Sequence, residues 1–147
     1  LVHSLAKSSI FFTAGHASQM HGTQEMDNIK GLFRGNPLVG WGLMFGVMAI
    51  AGMPPFGVFV SEFLILTATM RDAPILTIPL LIGLGVAFAA LFRRVQPMVA
   101  GAIPSNQRPL RAAHIPVMLH LILVLILGLY MPDFLSQWFH KAVELLK

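Results

Sequence analysis

The feature that most restricts this chain is the hexapeptide Gly52-Met53-Pro54-Pro55-Phe56-Gly57, set inside an apolar stretch that runs from Leu38 to about Met70. As one straight helix that stretch would reach about 50 Å, well beyond a bilayer hydrocarbon core of about 30 Å. Two successive prolines remove two backbone donors and push the residue before each out of the helical region. The flanking glycines tolerate dihedrals that other residues resist. The spacing therefore predicts two half-helices joined by a short unwound piece. Irregular backbone at membrane depth survives only where protein buries it or a wet cavity receives it, so the break is a functional pointer as well as a structural one.

The same criterion, roughly 20 mostly apolar residues per crossing, divides the rest of the chain. A first crossing spans about Leu1 to Met20 and a third about Pro74 to Phe92, where Arg93 and Arg94 stop it. A fourth runs from about His114 to Met131. The link 21–37 reads as a polar connection ending in Pro37, which suits the first turn of a helix. In the third crossing Gly83 and Gly85 offer close helix contact. After Pro132, a short amphipathic helix over 133–147 puts Phe134, Leu135, Trp138, Phe139, Ala142, Val143 and Leu146 on one side. It is expected to lie along the membrane surface or against a partner subunit. The expected fold is thus an all-α membrane protein with four transmembrane helices, one broken at Pro54-Pro55, in a unit 1–132, followed by the terminal helix.

Composition settles the class before any motif does. The chain is 56% hydrophobic and 11% charged, whereas soluble domains carry about 25% charged residues. The formal charge of +4 is a matter of topology and does not suggest nucleic acid, because Arg93, Arg94, Arg108 and Arg111 crowd into one connection. Lys30 and Arg34 lie in the first connection and Arg71 alone in the second. The positive-inside bias places segments 21–37 and 93–113 in the cytoplasm, and 71–73 with the carboxy terminus on the opposite side of a cell inner membrane. No cysteine is present, which excludes disulfides and thiolate sites. With no signal-peptide pattern and Leu1 in first place, the chain is expected to be the carboxy-terminal part of a longer protein.

Ionisable groups inside apolar segments carry the chemistry. A charged side chain at the centre of a transmembrane helix costs about 2.5 to 3.5 kcal/mol even on lenient scales, so Lys7 and Glu62 call for partners or water. Lys7 shares a helical face with His3, four residues earlier, and imidazole beside an amine can pass protons; alternatively Lys7 snorkels toward an interface. Glu62 lies about 13 Å of helix before Arg71, too deep for its short side chain to snorkel, and within about two turns of the break. That combination resembles broken-helix transporters. His16 falls on the opposite side of its helix from Lys7 and is a secondary relay candidate, as is His120, for which packing is the favoured role. His21, His114 and His140 sit at helix ends. These histidines lack the carboxylate neighbours of a metal site. No phosphate loop, nucleophile elbow or carboxylate dyad occurs, so no catalytic site is read in the chain.

Taken together, His3-Ser-Leu-Ala-Lys7, the connection Gly22-Thr followed by Asn28-Ile-Lys-Gly-Leu32, the run Ala49-Ile-Ala-Gly-Met-Pro-Pro-Phe-Gly57 and the triplet Ser61-Glu-Phe63 resemble the antiporter-like membrane subunits of respiratory complex I. The same family includes Mrp sodium/proton antiporter subunits and the membrane subunits of energy-converting hydrogenases. Within it, the wording around Lys7 and the break, with the short tail, is most similar to hydrogenase-4 component F. The resemblance implies the last four crossings of a fourteen-helix fold, with Glu62 at the ionisable position of the broken helix and His3 and Lys7 at relay positions. It also implies proton translocation within a hetero-oligomeric complex such as hydrogenase 4 or NADH:quinone oxidoreductase. The partners would be other membrane subunits and a peripheral redox module, whose iron–sulfur clusters and nickel–iron or flavin groups would reside in those subunits and not in this chain. The alternatives are an Mrp-type sodium/proton antiporter subunit and a non-conducting membrane anchor of a redox enzyme.

Overall fold

The computed structural model describes residues 1–102, 114–130 and 132–145. Arg108 and Arg111, and Met131 at the expected end of the fourth crossing, lie outside them. The described residues form helices and turns without strands: α1 (Val2–His21), a 3-10 turn (Met26–Asn28), α2 (Leu32–Gly35), α3 (Pro37–Ile50), α4 (Gly57–Asp72), α5 (Pro74–Ala100), α6 (His114–Leu129) and α7 (Asp133–Glu144).

Helix boundaries follow local chemistry. Gly22 closes α1 with a left-handed φ of 65°, the conformation glycine supplies at helix ends. At the start of α3, the Asn36 side chain accepts a bond from the Val39 N–H at 3.4 Å, and Pro37 takes the first turn. Beyond α4, the single residue Ala73 separates two helices, its N–H still bonded to the Thr69 carbonyl at 2.8 Å.

α1 runs antiparallel to α3 and α6. Glycines on α3 bring the backbones together: a Cβ on Gly42 would stand 2.8 Å from Thr13 and 3.0 Å from Val117, and one on Gly46 would stand 2.8 Å from Ile10. This is the close approach that small residues permit between membrane helices. Gly83 and Gly85, expected to offer such contact, instead face open space on α5, because the middle of that helix meets little among the described residues. Ile75 is 82% exposed and Val86 64%.

The helix that carries the expected third crossing continues past Phe92. α5 passes through Arg93, Arg94 and Pro97 to Ala100. The arginines end the apolar span but not the helix, since arginine is a good helix former and the turns beyond have a core to enter. Val95, Met98 and Val99 are buried there with Ala17, Met20, Ile29 and Leu32. Ile29 and Leu32 come from the connection read as merely polar, which folds back as a 3-10 turn and a helical turn under the end of α5. α5 is the helix among the described residues that is long and apolar enough to cross a membrane alone; α3 and α6 are shorter apolar helices.

Candidate functional site

The break lies where the prolines place it. α3 stops at Ile50, Gly52 turns left-handed at φ 68°, and the Met53 N–H returns to the Met48 carbonyl at 3.0 Å. This six-to-one closure is a glycine-terminated helix end. Pro54 has no N–H to offer the Ile50 carbonyl, the Pro54–Pro55 bond is cis, and the chain re-enters helix at Gly57. Two other helices wall the loop. A Cβ on Gly57 would stand 3.0 Å from Val2 of α1 and 3.2 Å from the Gly128 nitrogen of α6. Gly128 itself lies against the Pro55 carbonyl and the Gly57 nitrogen. Nothing in the local sequence marks Gly128 as part of the break beyond its being a glycine after the unbroken Leu, Ile and Val run from Leu121 to Leu127.

Glu62 closes the arrangement. Helical side chains lean toward the helix amino terminus, and from one turn and a half inside α4 the carboxylate reaches back onto Gly52. Its Oε1 is 2.9 Å from the point a Gly52 Cβ would occupy, and its Oε2 would overlap that Cβ outright. The half-buried acid therefore sits in the notch left by a missing side chain, on backbone that has left the helix. The neighbouring Ser61 hydroxyl turns away, donating to the Val58 carbonyl at 2.8 Å.

His3 and Lys7 occupy one flank of α1, both exposed on this chain. Lys7 lines a shallow groove of about 540 Å³ with Ser4, Ser8, Phe11 and Phe12. About a quarter turn round the helix from them, Ala6 packs with Ala49, Phe56 and Val124 around the break. Lys7 and His3 thus look outward, away from the helices that wall the break, and the structure does not join them to Glu62 by a hydrogen bond or ion pair among the described residues.

The remaining histidines separate by partner. His120 bonds through Nδ1 to the Pro116 carbonyl and packs its ring 5.9 Å from Phe12, a satisfied packing residue. His16 sets its ring 6.3 Å from that of His114, edge to face, and its Nδ1 is buried without a partner among the described residues. His21, which carried no signal in the sequence, is a clasp. Its Nδ1 donates to the Ala17 carbonyl at 2.9 Å, while Nε2 faces the Lys30 backbone, 3.0 Å from its carbonyl and 3.4 Å from its N–H. The side chain of His140 lies outside the described residues.

Comparison with known proteins follows the same residues. The sequence profile described as NADH:quinone oxidoreductase/Mrp antiporter, transmembrane, matches residues 1–89, from the His3 and Lys7 helix through the break and Glu62 into α5. The chain is 41% identical over 146 residues to a hydrogenase-4 component F homolog of Methylacidiphilum infernorum, covering 99% of this chain and 31% of that protein. It is 27% identical over 150 residues to an NADH-quinone oxidoreductase subunit of Escherichia coli, covering 97% and 29%. With a Na(+)/H(+) antiporter subunit of Alkalihalophilus pseudofirmus it shares 30% over 91 residues, covering 60% and 18%. The chain spans less than a third of the length of these relatives.

Proposed function

The chain belongs to the NADH:quinone oxidoreductase/Mrp antiporter transmembrane family, and from that membership we propose that it supplies one end of a proton path through a redox-driven membrane complex. The observation that carries this reading is the Glu62 carboxylate seated on Gly52 at the broken helix. An acid held at the discontinuity is placed to exchange protons between the protein interior and one side of the membrane. Lys7 and His3 would extend the path on the outward flank of α1, toward residues of the larger protein or a neighbouring subunit. Electron chemistry would belong to partner subunits carrying the redox groups, coupled to this chain by conformational or electrostatic change.

In this reading α1, the α3–α4 pair, α5 and α6 cross the bilayer, and α7 lies on its surface or against a partner. The first connection and the arginine-rich segment after α5 face the cytoplasm. An Mrp-type sodium/proton exchanger is the second reading, favoured by the likeness to a Na(+)/H(+) antiporter subunit; sodium-dependent flux without a redox substrate would distinguish it.

The test is Glu62→Gln in the intact complex, which removes the titratable proton and keeps the shape. Redox-driven proton uptake into vesicles is expected to be abolished while subunit assembly and electron transfer by the peripheral module persist. Unchanged pumping would remove Glu62 from the path.

A further inference from the structure

A second cavity lies far from the break, at the other end of α5. It has a volume of about 760 Å³ and is bounded by Met26, Asp27 and Lys30 on the connection and by α5 from Val86 to Pro97. Its α5 wall changes character along its length. Val86, Ala89 and Ala90 form an apolar, small-residue floor, and one turn later Arg93 and Arg94 stand at the mouth. Arg93 is about 28 Å of helix from the start of α5 at Pro74, so a helix that crosses the hydrocarbon core brings these arginines to the headgroup level and leaves Val86 about 10 Å deeper.

The third cation is held in place from several directions. The Lys30 backbone is clasped by His21, and a Cβ on Gly101 would stand 3.1 Å from the Lys30 Cβ, so its stem rests on the end of α5. The acid in the group is weakly engaged: Asp27 Oδ1 is 3.7 Å from Arg94, with side chains 90% and 69% exposed. Such a pair contributes little and yields to a stronger anion. Three cations against one acid leave the mouth positive, while Val86, Ala89 and Ala90 below it are apolar and exposed.

We propose that this groove binds an anionic phospholipid, its phosphate among Arg93, Arg94 and Lys30 and one acyl chain along Val86, Ala89 and Ala90. The assignment rests on the membrane embedding of α5. A soluble anion would explain the arginines but not the apolar floor aligned beneath them. A partner protein would need an acidic group on an apolar stem at headgroup depth. A phospholipid presents both, in that order and at that spacing.

Native mass spectrometry of the full-length protein, titrated with phosphatidylglycerol or with phosphatidylcholine of the same chains, tests the assignment. We expect one phosphatidylglycerol retained at least tenfold more tightly than phosphatidylcholine. Arg93→Gln with Arg94→Gln is expected to lower that retention tenfold or more, and Asp27→Asn to raise it. Ala90→Trp fills the floor but keeps every charge, and is expected to release the lipid as well. Millimolar inorganic phosphate should not displace it. Full retention in Ala90→Trp, retention unaffected by the arginine pair, or displacement by inorganic phosphate would each overturn the proposal. Normal assembly of each variant with its partner subunits controls for misfolding.

Discussion

At the residue scale, Gly52 answers two demands at once: a left-handed backbone and room for a carboxylate. Substitutions can separate them. Alanine adds a Cβ and a left-handed penalty of about 1–2 kcal/mol, whereas asparagine tolerates the left-handed conformation but brings the same Cβ onto the Glu62 oxygens. Both Gly52→Ala and Gly52→Asn are expected to lose most redox-driven proton transport. Transport retained in Gly52→Asn would show that the dihedral alone matters. For Lys7 the expectation concerns proton release. Lys7→Ala should impair transport in reconstituted vesicles, and Lys7→Arg should restore it only in part, because arginine keeps its proton; equal rates in all three proteins would count against a lysine relay.

Much of this was legible from sequence at the level of single residues, and the limits have a physical cause. Glu62 stood out because a short acid in an apolar run cannot reach water by snorkelling. That its carboxylate closes on Gly52 was not legible, since the contact joins residues ten apart across a loop whose path the prolines restrict but do not fix. Lys7 and His3 share a flank, as their spacing of four requires. Periodicity alone did not say that the flank would face away from the break. His21 escaped notice because its value lies in reaching the Lys30 backbone, a contact made only once the connection folds back.

At the element scale, the packing of α1, α3 and α6 depends on glycines placed at helix crossings, while those on α5 are idle within this chain. The contrast gives a paired prediction for the thermal stability of the detergent-solubilised complex. In Gly128→Ala the new Cβ meets backbone of Pro55, Phe56 and Gly57, which cannot rotate away. A loss of about 1–3 kcal/mol is expected, as for overpacked cores, with disturbed transport because the break itself moves. In Gly83→Ala the Cβ meets nothing within 4 Å, so the change should be neutral or stabilising by less than about 1 kcal/mol. A large loss at Gly83 would mean that another part of the complex packs there.

α5 shows how far apolar patterning reaches as a guide. Its start at Pro74 and the end of its apolar span at Arg93 were readable, because both are matters of solvent preference. Its true end at Ala100 depends on Val95, Met98 and Val99 finding the pocket formed by Ala17, Met20, Ile29 and Leu32. Burial of that kind overrides the stop that charge suggests, and it exists only after distant segments have met.

At the scale of the whole molecule, the proposed orientation can be checked directly. The chain has no cysteine, so single cysteines introduced into a background otherwise free of them report their side of the membrane. Gln24→Cys is expected to react with an impermeant maleimide from the cytoplasmic side, and Asp72→Cys only from the opposite side. Both are exposed in the structure. The reverse pattern would invert the assignment and move Glu62 to the cytoplasmic half.

The sequence alone determined the membrane class, the half-helix pair and the candidate acid, because each follows from local solvation and backbone chemistry: apolar length, missing proline donors and a carboxylate too deep to reach water. Tertiary structure decided what the acid rests on, which glycines bring helices together, and that a cationic mouth lies over an apolar groove at the end of α5. Those arrangements arise from contacts between segments far apart in the chain. Their geometry is set by packing the helices against one another, a step that no residue's own preference encodes.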